Sequence, residues 1–206
     1  MRKGDPEIAR LNGLLLAGGR SRRMGLDKST LVFAQRDQLS RSVEAMRGVC
    51  GDIFLSLRAK QETPARMPEG VTGVVVDQFG EKGPLGGILS AFQAYPGCSW
   101  LVLAIDLPFA GAAVLDHLVK ARNPARPATA YRSVEGGLPE PMCAIYESSS
   151  GVLLRELFLH HNILSPRKIL ISLDVCLVDP PDAWALDNVN TPEECEVARK
   201  RIAGQI

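Results

Sequence analysis

The stretch that most constrains this chain runs from Leu14-Leu15-Leu16 straight into Ala17-Gly18-Gly19-Arg20-Ser21-Arg22-Arg23-Met24-Gly25-Leu26-Asp27-Lys28. A continuous apolar run suits a strand buried on both faces. A glycine-rich loop placed directly after it lets successive backbone N–H groups turn inward as a nest for an anion, because Gly18 and Gly19 carry no Cβ to keep a phosphate at a distance. Arg20, Arg22, Arg23 and Lys28 stand against Asp27 alone, in a chain of 206 residues whose formal net charge is +1. Positive charge is therefore concentrated in this loop, and a polyanion is its natural ligand. The spacing matches neither G-x-x-x-x-G-K-[ST] nor G-x-G-x-x-G.

Beyond the loop, Ser29 to Phe33 reads as a short extended piece and Leu39, Val43 and Met46 carry helical spacing. Further apolar runs follow at Asp52–Leu57, Val71–Val76 and Leu101–Ile105, with a loop at Gln61–Gly70 and helical segments through Phe92 and over Gly111–Ala121. Later, Ala128–Tyr131 and Met142–Tyr146 read as strands, Val152–Leu159 as an amphipathic helix, and a terminal helix extends through Ile202. Strands that are continuous apolar runs, alternating with helices, predict an α/β, Rossmann-like, mostly parallel sheet with helices on both faces. With 46% hydrophobic residues and no linker, the whole chain, 1–206, is expected to form one domain.

Ligands of open α/β sheets bind outside the carboxyl ends of the strands. Leu16 and Ala17 leading into Gly18, then Ser56, Asp77 and Asp106, all fall at such ends, so four strands direct polar termini into one crevice. Asp106 sits where Leu107-Pro108 stops a buried strand, a place suited to a hard divalent cation that also touches substrate phosphates. Magnesium is the expected metal. The purely structural alternative for Asp77 is a helix cap or turn former, and Ser56 is equally explained as an ordinary satisfied hydroxyl. His160-His161 reads as the charged end of a helix rather than a metal pair. Thr191, Pro192 and Glu194 spell a capping box, which leaves Asn188 and Asn190 without a structural explanation. On an extended segment those two asparagines face the same side.

The string L-A-G-G-x-S-x-R-M-G-x-D-K resembles the signature loop of the molybdenum cofactor guanylyltransferase family. Three more blocks agree in order: Asp77 followed by Gly83-Pro84-Leu85-Gly86-Gly87, then Asp106-Leu107-Pro108, then Asn188-Val189-Asn190-Thr191-Pro192. The resemblance implies the nucleotide-diphospho-sugar transferase type of fold and GTP as the nucleotide. It further implies contact of Asp77 and Gly86 with the guanosine base and ribose, Asp106 as metal ligand, and the asparagines beside the acceptor. Two departures stand out: Ile105 where many relatives have Cys, and Glu140-Pro141 where relatives usually have His-Pro, which bears on how the second substrate is held.

The chemistry this predicts is nucleotidyl transfer from GTP to a molybdopterin-type acceptor with release of pyrophosphate, achieved by positioning and charge neutralisation without a covalent enzyme nucleophile. Leu16, Ala17, Gly18, Gly19 and Arg23 would hold the triphosphate, with Ser56, Asp77 and Gly86 completing the nucleotide site. Lys28 would neutralise charge at the transferred phosphate and Asp106 would hold magnesium. Asn188, Asn190 and Arg167, with Lys168 beside it, would face the acceptor. A cytidylyltransferase or sugar-1-phosphate nucleotidyltransferase is the alternative within this class, with L-A-A-G commoner there than L-A-G-G. A non-catalytic nucleotide-binding module is the alternative outside it, disfavoured by retention of both Lys28 and Asp106. Near-neutral charge, five scattered cysteines without C-x-x-C and no long apolar run exclude nucleic acid, a disulfide framework and a membrane span as organising features. The expected compartment is the cytoplasm, and proteins that deliver the cofactor are the partners such a role invites.

Overall fold

A computed structural model describes residues 10–17, 32–33, 36–64, 66–80, 82–134 and 136–204. A seven-stranded sheet runs through them. In chain order the elements are β1 (Leu11–Leu16), β2 (Val32–Phe33), β3 (Arg36–Asp37), α1 (Gln38–Arg47), β4 (Ile53–Leu57), β5 (Gly73–Val76), α2 (Pro84–Ala94) and β6 (Ser99–Ala104). There follow α3 (Ala112–Lys120), β7 (Ala128–Arg132), β8 (Pro139–Tyr146), α4 (Ser150–His161), α5 (Pro166–Ser172), β9 (Cys176–Val178) and α6 (Pro192–Ile202). The sheet order is β5-β4-β1-β6-β8-β7-β9, while β2 and β3 pair separately. Strands β5, β4, β1 and β6 are mutually parallel, and β8 is antiparallel to both of its neighbours. Because β9 is parallel to β7, β8 alone runs against the rest of this sheet.

Alternation along each strand divides the core into two layers. Leu15, Leu55, Leu101, Leu103 and Ile145 face α1 and α3, where Val43, Met46, Leu115 and Leu118 close the layer. Leu14, Leu16, Phe54, Trp100, Val102 and Ala144 face the opposite way, against Leu85 and Ile88 of α2, Leu154 of α4 and Ile169 of α5. All six residues of β1 and of β6 are buried, which is why Leu14–Leu16 and Trp100–Ala104 read as continuous apolar runs. Among the described residues no helix is long and apolar enough to cross a membrane.

Helix boundaries follow local chemistry. Asp37 caps α1 by accepting the Ser40 N–H at 2.8 Å. Gly83, at φ 65°, turns the chain into α2 with Pro84 in the first turn. Thr191 and Glu194 make the expected capping box of α6.

Three elements were not expected, β3, α5 and β9, at two, seven and three residues too short to show a period. Strand β8 is also longer than the expected Met142–Tyr146. It begins at Pro139, its first residue, in register with Arg132, and Pro141 falls within the jump of register against β7 from Ala130–Ala144 to Tyr131–Glu140. A strand's first position and a bulge both tolerate residues that cannot donate to the ladder, so these prolines do not end the strand.

Candidate active site

The parallel strands deliver their carboxyl ends to one edge in a continuous row. Leu16 is in register with Ser56 on one side and Ala104 on the other. The ladder then continues past the strands: Ala17 N–H donates to the Ser56 carbonyl at 3.2 Å, Ile105 N–H to Leu16 at 3.3 Å and Asp77 N–H to Leu57 at 2.9 Å. Asp77 and Asp106 therefore lie three strand spacings apart, about 14 Å across the edge at ~4.8 Å per strand. That span suits an extended nucleotide better than a lone phosphate. Gly18, Gly19, Arg23 and Lys28 of the basic loop lie outside the described residues. The loop's starting point is fixed, because the Gln61 side chain donates to the Ala17 carbonyl at 3.0 Å while its Oε1 accepts the Arg58 N–H at 3.3 Å. A single glutamine in a loop offers no signal in the sequence that would have singled it out.

Asp77 is buried at 6% exposure, and its Oδ1 accepts the Phe79 N–H at 2.7 Å, so the turn-forming role is realised. Its carboxylate also fills the space left by Gly86: a Cβ built there would lie 2.5 Å from Oδ2. At Gly87 the Ser56 hydroxyl does the same. These glycines thus let the first turn of α2 close onto the ends of β4 and β5, where the helix N-terminus favours a carboxylate. The room they create belongs to protein side chains rather than to an open platform for a flat base.

Asp106 is half-buried in the turn that follows β6, closed by Leu107 N–H donating to Ala104 at 3.3 Å. Its own carbonyl accepts the Val189 N–H at 2.9 Å. This bond brings a segment from near the end of the chain onto the metal-candidate residue. Val189 is buried at 3% and packs with Cys195 and Ala198 of α6 and with Phe109, while Asn188 is exposed and Asn190 half-buried. The middle residue anchors the segment, and the asparagines flank it. Arg201 of α6 steadies the approach by stacking on Phe109 and Trp184, 5.7 and 5.5 Å from their ring centres.

Arg167, in the first turn of α5, reaches Glu140 at the start of β8 with Nη2 2.5 Å from Oε2. The other carboxylate oxygen accepts the Met142 N–H at 3.0 Å. Because β8 is reversed, its first residues lie at the same edge as the last residues of β6. Asp106 and Glu140 each stand three residues beyond the final register pair, Leu103–Cys143. Lys168 is exposed beside Arg167, and His160 and His161 are exposed at the end of α4, as read.

Among the described residues no cluster of three or more His, Cys, Asp or Glu could hold a metal. A single carboxylate at a crevice edge nevertheless fits magnesium, which keeps several waters and binds through one or two carboxylates plus substrate phosphates. Glu140 is not a second ligand, since both its oxygens are engaged by Arg167 and Met142.

A row of strand ends, with a carboxylate at the switch between parallel and reversed strands, defines a nucleotide-handling α/β protein. The chain belongs to the family of the MobA-like NTP transferase domain, whose model matches residues 13–174. It is 32% identical over 195 residues to a molybdenum cofactor biosynthesis bifunctional protein from Synechocystis, covering 93% of this chain and 54% of that one. It is 30% identical over 203 residues to a probable molybdenum cofactor guanylyltransferase from Opitutus terrae, covering 94% of this chain and 96% of that one. The fold is shared with molybdopterin-guanine dinucleotide biosynthesis protein A from Archaeoglobus fulgidus at a TM-score of 0.71 and 22% identity, over 94% of this chain and 99% of that one.

Proposed function

We propose that this protein is a magnesium-dependent guanylyltransferase that joins GMP from GTP to the terminal phosphate of molybdopterin or its metal-loaded form. An acceptor phosphate oxygen attacks the α-phosphorus, the bond to the β-phosphate breaks and pyrophosphate leaves. The observation that carries this is the Val189 N–H bond to the Asp106 carbonyl at 2.9 Å, which sets the asparagine segment beside the carboxylate assigned to the metal. Relatives named as probable molybdenum cofactor guanylyltransferases support guanine over cytosine and molybdopterin as acceptor.

In this mechanism Gly18, Gly19 and Arg23 hold the triphosphate, and Lys28 faces the charge that builds on the transferring phosphate. Magnesium held by Asp106 would supply charge neutralisation at the phosphate oxygens. Asn188 and Asn190 orient the acceptor from the opposite side, which turns a bimolecular attack into a positioned one. Proteins that deliver the cofactor would dock from the acceptor side.

Purified protein with each of the four NTPs, magnesium and molybdopterin, with pyrophosphate release as readout, tests the reading. GTP should support turnover and raise the melting temperature more than CTP does. Equal shifts, or a larger one for CTP, would sink the guanine assignment.

A further inference from the structure

Glu140 stands at the crevice edge, where a carboxylate would by itself repel a phosphate-bearing acceptor. The structure shows what neutralises it. Glu140 is almost fully buried, its side chain only 10% exposed, and it draws the Arg167 guanidinium to the crevice edge from a different element, α5. Arg167 remains 43% exposed, and among the described residues its other N–H groups bond nothing. One corner of the guanidinium is fixed while the rest stays available, which suits recognition of a phosphate by a planar fork. The Met142 N–H fixes the carboxylate in turn, so the holder cannot swing away.

We infer that Glu140 is a positioning residue for the acceptor, holding Arg167 so that its open N–H groups bind the acceptor's phosphate. This rests on the proposed assignment of the Asn188–Asn190 side of the crevice to the acceptor. The pair is open on its Arg167 side, and removing the Glu140 charge leaves no buried ion behind, so that charge adds little to stability. Its effect should therefore appear in acceptor binding rather than in folding. It also separates Glu140 from Asp106, the other carboxylate of this edge, which is assigned to the metal.

The test begins with the wild-type chain, GTP, magnesium and molybdopterin. Glu140→Gln keeps size and an acceptor for the Met142 N–H but loses the charge that holds Arg167. It should raise the acceptor KM about tenfold and leave kcat, the GTP KM and the melting temperature near wild type. Arg167→Met should also raise the acceptor KM and leave the GTP KM unchanged, at some cost in melting temperature because Glu140 is left buried without its cation, with Arg167→Lys intermediate. Because Glu140 acts through Arg167, the Glu140→Gln/Arg167→Met double variant should be no worse than Arg167→Met alone. Multiplying losses in the double variant would overturn the inference, as would an unchanged acceptor KM in Arg167→Met. A rise in both KM values together with a lowered melting temperature would mean a structural role and overturn it too. Absence of pyrophosphate release from the wild-type chain would remove the proposed function itself, and the inference with it.

Discussion

The two flanks of the central pair β1 and β6 are held by different forces. On one side, β4 and β5 continue the parallel sheet and join it through apolar packing, and the ion pairs there, such as Arg10–Asp52 and Arg47–Glu69, lie at the surface. On the other side the reversed strand β8 is bracketed by carboxylates, Glu140 near its start and Glu147 just past its end, each taken up by an arginine. The two pairs differ in purpose. Glu147 and Arg122 are 5% and 11% exposed, joined at 2.8 and 2.7 Å with the Ser99 hydroxyl donating at 2.7 Å, at the edge remote from the crevice. Glu140 and Arg167 stand at the crevice and remain partly open. Reversing one strand therefore places one acid where it can serve a ligand and another where it can serve only the fold.

The largest expected effect lies where the flanks meet. Asp106→Asn keeps size and removes the charge assigned to magnesium, so pyrophosphate release should fall about a thousandfold while the circular dichroism spectrum is kept. Near wild-type turnover at low magnesium would refute the mechanism. Next comes the remote pair: Glu147→Ala leaves the buried Arg122 without its carboxylate and should cost about 3–5 kcal/mol in urea unfolding. Glu140→Gln removes the buried charge and leaves only the half-exposed Arg167 to be solvated, so it should cost less than about 1 kcal/mol by the same measurement. Equal losses would erase the distinction drawn between the two pairs.

On the parallel flank, Gly86→Ala forces a methyl against the Asp77 carboxylate, with 2.5 Å available. Neither the helix nor the buried acid can yield cheaply, so a loss of about 1–3 kcal/mol is expected despite the better helix propensity of alanine. GTP affinity measured by calorimetry should weaken in parallel. Stability at or above wild type would show that the α2 approach is slack.

The smallest effect is alkaline. Burial pushes the Cys143 thiol up to about 12, with the charge of Glu140 adding to it. Between the unfolded thiol's range near 9 and that value, the unfolded chain has released a proton that the native chain still holds. Stability therefore falls as pH rises across this window, by up to roughly 1 kcal/mol per pH unit from this residue. Cys143→Ala should flatten the urea-midpoint profile above pH 9, and an unchanged slope would remove Cys143 as its source.

Much of the parallel flank was legible in the sequence, because its signals are local. Leu14–Leu16, Ile53–Leu57 and Leu101–Ala104 are apolar at every position or nearly so, and a strand covered on both faces permits little else. The reversed flank was read less completely. Strand β8 reaches back to Pro139 where only Met142–Tyr146 was expected, and α5 and β9 are too short for a period to emerge.

What the sequence determined by itself was therefore the strand runs, the caps of α6, the basic glycine loop and the residues at the strand ends. Each depends on neighbours a few positions away. Tertiary structure alone decided that Asp77 occupies the gap at Gly86, that Val189 hydrogen-bonds Asp106, and that Glu140 is held by Arg167. Periodicity reports that a residue is buried or polar, but not what it meets. Partners distant in the chain are chosen by the geometry of the packed sheet, where strand order and the reversal of β8 bring them to one edge.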